Sequence, residues 1–226
     1  MEKGTQKRRE LFEKNRLCHF DVPFCMKNFF WVEDVPFNAF LIENIRALSE
    51  ISKVLGKKDE AFYFQEQGIL IARAMRDRMA DDYLYWSTYG EDHKKILIKT
   101  WAIFAPLYAK ILSQEEAEQL VKNHLLNKEE FATPFPCPTV SQGESSYDPK
   151  GFWRGPVWIA TNWFIFKGLS RYNFHDTAGW IKEKTIALIE KSGFREYFHP
   201  ETGEGLGAKN FTWGTLIVDM TEDEPI

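Results

Sequence analysis

Between residues 36 and 55, apolar side chains recur every three or four positions: Phe37, Leu41, Ile45, Leu48, Ile51 and Leu55. That spacing puts them on one face of a helix and predicts a stripe turned toward a core. Gly56 follows as a stop signal. A second helix is predicted over 59–79, with Ala61, Phe64, Ile71, Met75 and Met79 on its buried side, and Asp81-Asp82 breaks it. The short aromatic stretch 83–89 reads as a small hairpin or turn. Residues 94–112 are apolar enough to predict a third helix, kinked at Pro106. Ser113 followed by Glu116 is a capping-box signature that opens a fourth, running to about Leu126.

Residues 132–151 interrupt the pattern with Pro134, Pro136, Pro138, Gly143, Pro149 and Gly151. A connection this long inside a compact domain is usually functional or disordered. Pro156, a favoured first-turn residue, predicts the start of a fifth helix that runs to Tyr172. It is apolar nearly all round, as a helix enclosed on every side is. A sixth helix is predicted over 177–192, before Gly193, and 215–220 begins a last one. More buried helices thus alternate with amphipathic ones. The fold class this predicts is all-α: an arc of antiparallel helical hairpins forming one domain over 1–226, with 1–30 and 221–226 loosely ordered. No fixed-period repeat points to a simple solenoid instead.

Composition narrows the function classes. The chain has 226 residues, 44% of them hydrophobic, enough for a substantial core. Its 29 basic and 33 acidic residues leave a net charge of −4, which argues against a nucleic-acid-binding face. Aromatics reach 15%, which implies an aromatic core or a pocket for flat apolar faces such as those of sugars. No apolar run approaches the roughly 18 residues of a membrane helix, and the polar N-terminus lacks the apolar stretch of a secretory signal. Cys18, Cys25 and Cys137 are odd in number and form no CxxC, and the five histidines are scattered. Reduced thiols in a cytoplasmic protein, with no metal and no cofactor, are the expectation. Gly203-Glu-Gly-Leu-Gly207 lacks the preceding strand of a dinucleotide site.

Two segments carry candidate chemistry. In Gly151-Phe-Trp-Arg-Gly-Pro-Val-Trp158, Phe152, Trp153 and Trp158 surround Arg154 at the start of the enclosed helix. Tryptophan faces suit the C–H faces of sugars, and a guanidinium holds carboxylates bidentately. The same residues would also serve as a helix start stapled by two core tryptophans. In Gly193-Phe-Arg-Glu-Tyr-Phe-His-Pro-Glu-Thr-Gly-Glu-Gly-Leu-Gly207, Glu196 sits among Phe194, Tyr197 and Phe198, and Glu204 lies in a glycine-rich turn within reach of the same space. A carboxylate in an aromatic pocket can act as acid or base. The other reading pairs Glu196 with Arg195 or Arg154 at the surface.

Together with Phe211-Thr-Trp213, the two segments resemble the C-terminal signature of the (α/α)6-toroid glycoside hydrolases. The nearest group is the mannosylglycerate and glucosylglycerate hydrolases, related to processing α-glucosidases and, more distantly, to trehalases. Phe152–Trp158, Glu196–Gly203 and Phe211–Trp213 follow the family pattern in order and spacing, with Phe152 in place of the usual Tyr. Asp34-Val-Pro-Phe-Asn38-Ala resembles the segment that opens an inner helix in the family. The resemblance implies an inverting glycosidase, with Glu196 as general base and Trp153, Trp158 and Trp213 in the sugar pocket beside Phe152 and Arg154. The family's general acid is an Asp in a Gly-x-Asp-Asn-Ser-type segment. The first thirty residues here hold one Asp, Asp21, in Phe20-Asp-Val-Pro, without that context. With about six or seven predicted helices, roughly half of a six-hairpin ring, the chain reads as the C-terminal half of such an enzyme. The implied partners are a carbohydrate substrate and either an N-terminal half-toroid chain or a second copy at the open edge. Nucleic acid and membrane are not expected. A sugar-binding protein that has lost its acid is the alternative.

Overall fold

The computed structural model describes residues 2–21 and 32–222. It opens with helix α1, Glu2–Leu17, where loose chain was expected. The segment is rich in Lys, Arg and Glu, which form helix without needing a core, and Arg16 pairs with Glu13 at 2.7 Å along its surface. Residues 22–31 and 223–226, where loose order was also expected, lie outside the described residues. Cys18 is disulfide-bonded, against the expectation of a reduced thiol, whereas Cys137 is a free, buried cysteine.

Helix α2, Val35–Val54, begins near its predicted start because Asp34 caps it. The Asp34 carboxylate accepts the Phe37 N–H at 3.0 Å, and Pro36 fills the first turn. Helix α3, Lys58–Met79, folds back along α2 after Gly56, whose φ of +71° suits glycine. The Ser49 hydroxyl donates to the Ala61 carbonyl at 2.8 Å and ties the two helices together.

Apart from Ile45, which is half-buried against Gly68 of α3, the apolar stripe of α2 faces away from this contact. The helix buries Val35, Pro36, Ala39, Ile42, Ser49 and Ser52. Phe37 is 69% exposed, Ile51 54% exposed, and Leu41, Leu48 and Leu55 are exposed as well. The small side chains allow α3 and the core to approach closely, so the large ones are left on the outside. The predicted period is correct and the predicted direction is not.

The helix predicted over 94–112 forms only over 101–108, and residues 94–100 ahead of it are not helical. Lys94–Lys95 (β5) pairs with Thr88–Tyr89 (β4), which pairs with Val32–Glu33 (β1). Beyond it, the Trp101 N–H bonds the Thr139 carbonyl at 3.1 Å and the Ser141 N–H bonds the Lys99 carbonyl at 2.9 Å. Only the 3-10 turn Trp101–Phe104 and the single turn Ala105–Tyr108 (α4) are helical. An apolar run without a polar face fits an extended segment as well as a helix. Here the long break supplies the backbone partners. Ala80–Asp81 (β2) and Leu84–Tyr85 (β3) make a small hairpin that begins three residues before the stretch expected over 83–89.

Helix α5, Gln114–Leu120, starts on the predicted capping box: the Glu116 N–H reaches Ser113 Oγ at 3.1 Å and the Ser113 N–H reaches Glu116 Oε2 at 2.7 Å. Helices α6, Ile159–Arg171, and α7, His175–Ser192, form a second helical hairpin. The strands Arg195–Phe198 (β6) and Gly205–Lys209 (β7) and the short helix α8, Leu216–Glu222, complete the chain. Ile42, Phe104, Leu107, Leu120, Ile165 and Ile181 meet in one core. Every strand pair among the described residues is antiparallel, and the architecture is the predicted helical one. Among the described residues no helix is long and apolar enough to cross a membrane.

Helix α6 crosses α4 at Gly168, where an added Cβ would stand 2.7 Å from Leu107 Cβ and 2.8 Å from the Tyr108 backbone nitrogen. Alanine in place of a free helical glycine stabilises by about 1 kcal/mol. Gly168→Ala is expected to destabilise by about 1–3 kcal/mol instead, because backbone blocks the new methyl; the sign of the shift in thermal midpoint checks this. The Tyr85 hydroxyl is buried without a hydrogen-bond partner among the described residues, and burial pushes its pKa up to about 12. Tyr147 is likewise pushed up to about 12 by burial. A raised folded-state pKa contributes stability below the unfolded value near 10, which is lost as pH rises toward 12. In an alkaline titration followed by tyrosinate absorbance, Tyr85 and Tyr147 are expected to ionise only together with unfolding in that window. Tyr85→Phe should flatten the alkaline loss of stability and leave neutral-pH stability unreduced.

Candidate active site

The site is assembled by one backbone bridge. The Val157 N–H bonds the Phe198 carbonyl at 2.8 Å, and the Phe198 N–H bonds the Val157 carbonyl at 2.9 Å. Val157 also bridges Pro138. With its backbone in these pairs, the 156–158 segment stays extended. Helix α6 therefore starts at Ile159, three residues later than Pro156 predicts. The bridge sets strand β6, with Glu196, beside the Trp153–Trp158 segment.

The aromatic residues singled out in the sequence converge. Trp153 stacks on Trp158 with centroids 4.0 Å apart and planes within 6°. Trp213 meets Trp158 at 5.4 Å and Trp153 at 6.3 Å. Phe152 packs edge-on against Trp158 at 5.2 Å, and its carbonyl accepts the Trp158 indole N–H at 3.0 Å. Their exposures differ. Trp158 is 2% exposed and forms a floor, whereas Trp153 and Trp213 are each 38% exposed. Tyr197 stacks on Trp158 at 5.0 Å and joins the cluster, as does Phe211 at 5.5 Å from Trp213. Neither was assigned a role from sequence, although both lie inside the quoted motifs. Their place next to Glu196 and Trp213 was the available signal.

Glu196 lies on β6 immediately before Tyr197, at an irregularity in the β6–β7 pairing. Its Oε2 accepts the Ala208 N–H at 3.0 Å. The approach depends on Gly207, which has φ +64°; a Cβ there would be 2.5 Å from Glu196 Oε2 and 2.7 Å from Tyr197 Cε1. The glycines of 203–207, read from sequence as a turn, thus include the one that admits this carboxylate. Among the described residues Glu196 has no ion pair. Arg195 donates to the Gly207 carbonyl at 3.0 Å, and Arg154 donates to Asp148 at 2.8 Å. The carboxylate is accordingly not neutralised by either arginine.

Arg154 and Glu204 stand apart from this cluster in their contacts. Arg154 is exposed and engaged with Asp148. Glu204 lies in the turn between β6 and β7, 3.7 Å from Lys150. A cleft of about 580 Å³ opens beside Trp153 and is lined also by Asp34, Phe40, Trp86 and Trp101. Asp34 is held there by Ser87 Oγ at 3.2 Å and by the Phe37 N–H. Both contacts donate to its carboxylate. Among the described residues no group of three His, Cys, Asp or Glu side chains is arranged to hold a metal ion.

The chain is similar to proteins with known activities. It is 33% identical over 191 residues to a mannosylglycerate hydrolase of Thermus thermophilus, covering 83% of this chain and 45% of the relative. It is 32% identical over 205 residues to the mannosylglycerate hydrolase of Rubrobacter radiotolerans, covering 84% and 44%. The crystal structure of a GH63 mannosylglycerate hydrolase from Thermus thermophilus with Tris and D-glycerate superposes with a TM-score of 0.82 at 28% identity, over 92% of this chain and 50% of that one. The arc of helices is thus part of an (α/α)6 toroid, and the chain spans about half the length of the curated relatives it matches. The model of the mannosylglycerate hydrolase MGH1-like glycoside hydrolase domain matches residues 7–214. The chain belongs to that family of glycoside hydrolases.

Proposed function

We propose that this chain carries the general-base half of an inverting glycoside hydrolase acting on α-linked mannosyl or glucosyl compounds such as glycosylglycerates. The observation that carries the reading is Glu196: a carboxylate without an ion pair among the described residues, its Oε2 held by the Ala208 N–H, on the strand whose next residue, Tyr197, stacks on Trp158. With Oε2 held, Oε1 takes a proton from a water. The water oxygen then attacks the anomeric carbon as the bond to the leaving oxygen breaks. Trp153 and Trp213 stack on the sugar, Trp158 and Phe152 back them, and Arg154 and Glu204 meet more distant parts of the substrate.

The leaving oxygen needs a proton from a second carboxyl group about 6.5–9.5 Å from the first, across the ring. Three carboxylates of the cleft and the neighbouring turns are engaged elsewhere: Asp34 is an acceptor of two hydrogen bonds, Asp148 is paired with Arg154, and Glu204 faces Lys150. The reading takes the acid from a complementary half-toroid, as the family resemblance implies, and makes these 226 residues inactive by themselves.

The chain assayed alone on mannosylglycerate and glucosylglycerate should show no turnover; robust activity would reveal an acid within it. Mixed with a half-toroid that bears the acid segment, it should hydrolyse both or one of them, and Glu196→Gln should lower the rate about 10²–10⁴-fold. Binding of the sugar that persists with no turnover in any mixture would favour the sugar-binding alternative. In the active mixture, Gly207→Ala should lower kcat by about 10²-fold with little change in KM, because a misplacement near 1 Å suffices for that loss.

A further inference from the structure

A second cavity, of about 570 Å³, lies between α2 and α3 and shares no lining residue with the cleft beside Trp153. Its walls follow from helical spacing. Positions 46, 49, 50 and 53 form one face of α2, and 65, 68, 69, 72, 73 and 76 form one face of α3. Lys110 and Ile111 come from the segment after α4. Together these bring Arg46, Lys53, Arg73, Arg76 and Lys110 to one space, in a chain whose net charge is −4. Glu50 is the one acidic side chain among the described residues that line it. Two of the guanidinium groups are fixed by their own partners. Arg46 donates to Glu43 and to the Ala109 carbonyl. Arg76 donates to Glu116 at 2.8 Å and to the Ile111 carbonyl at 3.1 Å. Lys53 pairs with Glu50 at 2.6 Å. The side chains of Arg73 and Lys110 have no ion pair or hydrogen-bond partner among the described residues. Five cations thus meet three carboxylates, which leaves a surplus of two positive charges. Lys110 also has a φ of +47°, past the end of α4 where glycine is the usual occupant.

We propose that this cavity binds a small organic phosphate monoester. An ionised monoester carries close to two negative charges, which matches the surplus. Guanidinium groups hold phosphate oxygens in a fork, and an ammonium group adds a point charge. Arg46 and Arg76 are already held in place, so little side-chain freedom is lost when an anion meets them. Arg73 and Lys110 supply cations that no carboxylate among the described residues has claimed. Ile69 and Ile111 add apolar lining for the organic part, which separates an ester from free phosphate. The volume falls in the range of about 300–1,000 Å³ usual for small-molecule sites. Arg46 lies twelve residues after Asp34, about 18 Å along α2. The site is therefore separate from the cleft, and the proposal stands independently of the glycosidase reading.

The test titrates phenyl phosphate, inorganic phosphate and phenol into the full 226-residue chain at constant ionic strength, followed by calorimetry and by backbone amide shifts. Phenyl phosphate should bind one-to-one with a Kd at or below about 1 mM. Its amide shifts should concentrate in residues 46–53, 65–76 and 109–111. Phenol, which lacks the charge, and inorganic phosphate, which lacks the apolar part, should each bind about 10-fold more weakly. Arg73→Gln and Lys110→Gly should each weaken phenyl phosphate about 10-fold. Lys110→Gly should at the same time raise the thermal midpoint, because glycine takes that φ without strain. Lys122→Ala, at an exposed position past α5, should leave affinity unchanged. No binding of phenyl phosphate, amide shifts elsewhere, or undiminished affinity in both variants overturns the proposal. So does phenol binding as tightly as its phosphate. Inorganic phosphate binding as tightly as phenyl phosphate overturns the assignment to an ester. A lowered midpoint in Lys110→Gly overturns the role given to that lysine, since its loss would then be structural.

Discussion

The exchange of backbone hydrogen bonds between Val157 and Phe198 is the constraint from which the rest of the site follows. It joins two segments that are some forty residues apart in the chain and otherwise belong to different elements. One bears the stacked tryptophans, the other the carboxylate. Because the pairing is antiparallel, Trp158 and Tyr197 become neighbours and stack. Glu196 follows one residue further along. The cost is the first turn of α6, whose extended residues would otherwise have continued the helix.

The carboxylate itself is positioned by absence of bulk. Gly207 takes a left-handed backbone and offers no Cβ, so Glu196 Oε2 reaches the Ala208 N–H. Gly214 does the same for the neighbouring Phe194, whose Cδ1 would lie 2.2 Å from an added Cβ. The aromatic floor and the glycine gaps are complementary: large flat rings fix the walls, and glycine backbone fills in where the rings and the carboxylate leave no space.

Two apolar features of the molecule divide its surface. The core around Phe104, Leu107 and Ile165 closes the arc of hairpins on itself. The exposed apolar stripe of α2 remains outside it.

Local chemistry was legible in the sequence wherever one segment decided the outcome. The Asp34 and Ser113 caps and the helices over 35–54, 58–79 and 175–192 follow from side chains within a turn or two of each other. The Trp153, Trp158, Glu196 and Trp213 motifs stood out for the same reason. Tertiary structure decided whatever depended on a distant partner. Residues 94–100 lie outside any helix because residues 88–89 and 139–141 offer this stretch backbone partners. The α2 stripe faces outward because the small residues opposite it admit α3. Arg154 turned to Asp148 and Glu204 to Lys150, since each found an opposite charge nearby. A period along the chain establishes that a helix has two faces, but only the packing of the other elements selects which face is covered.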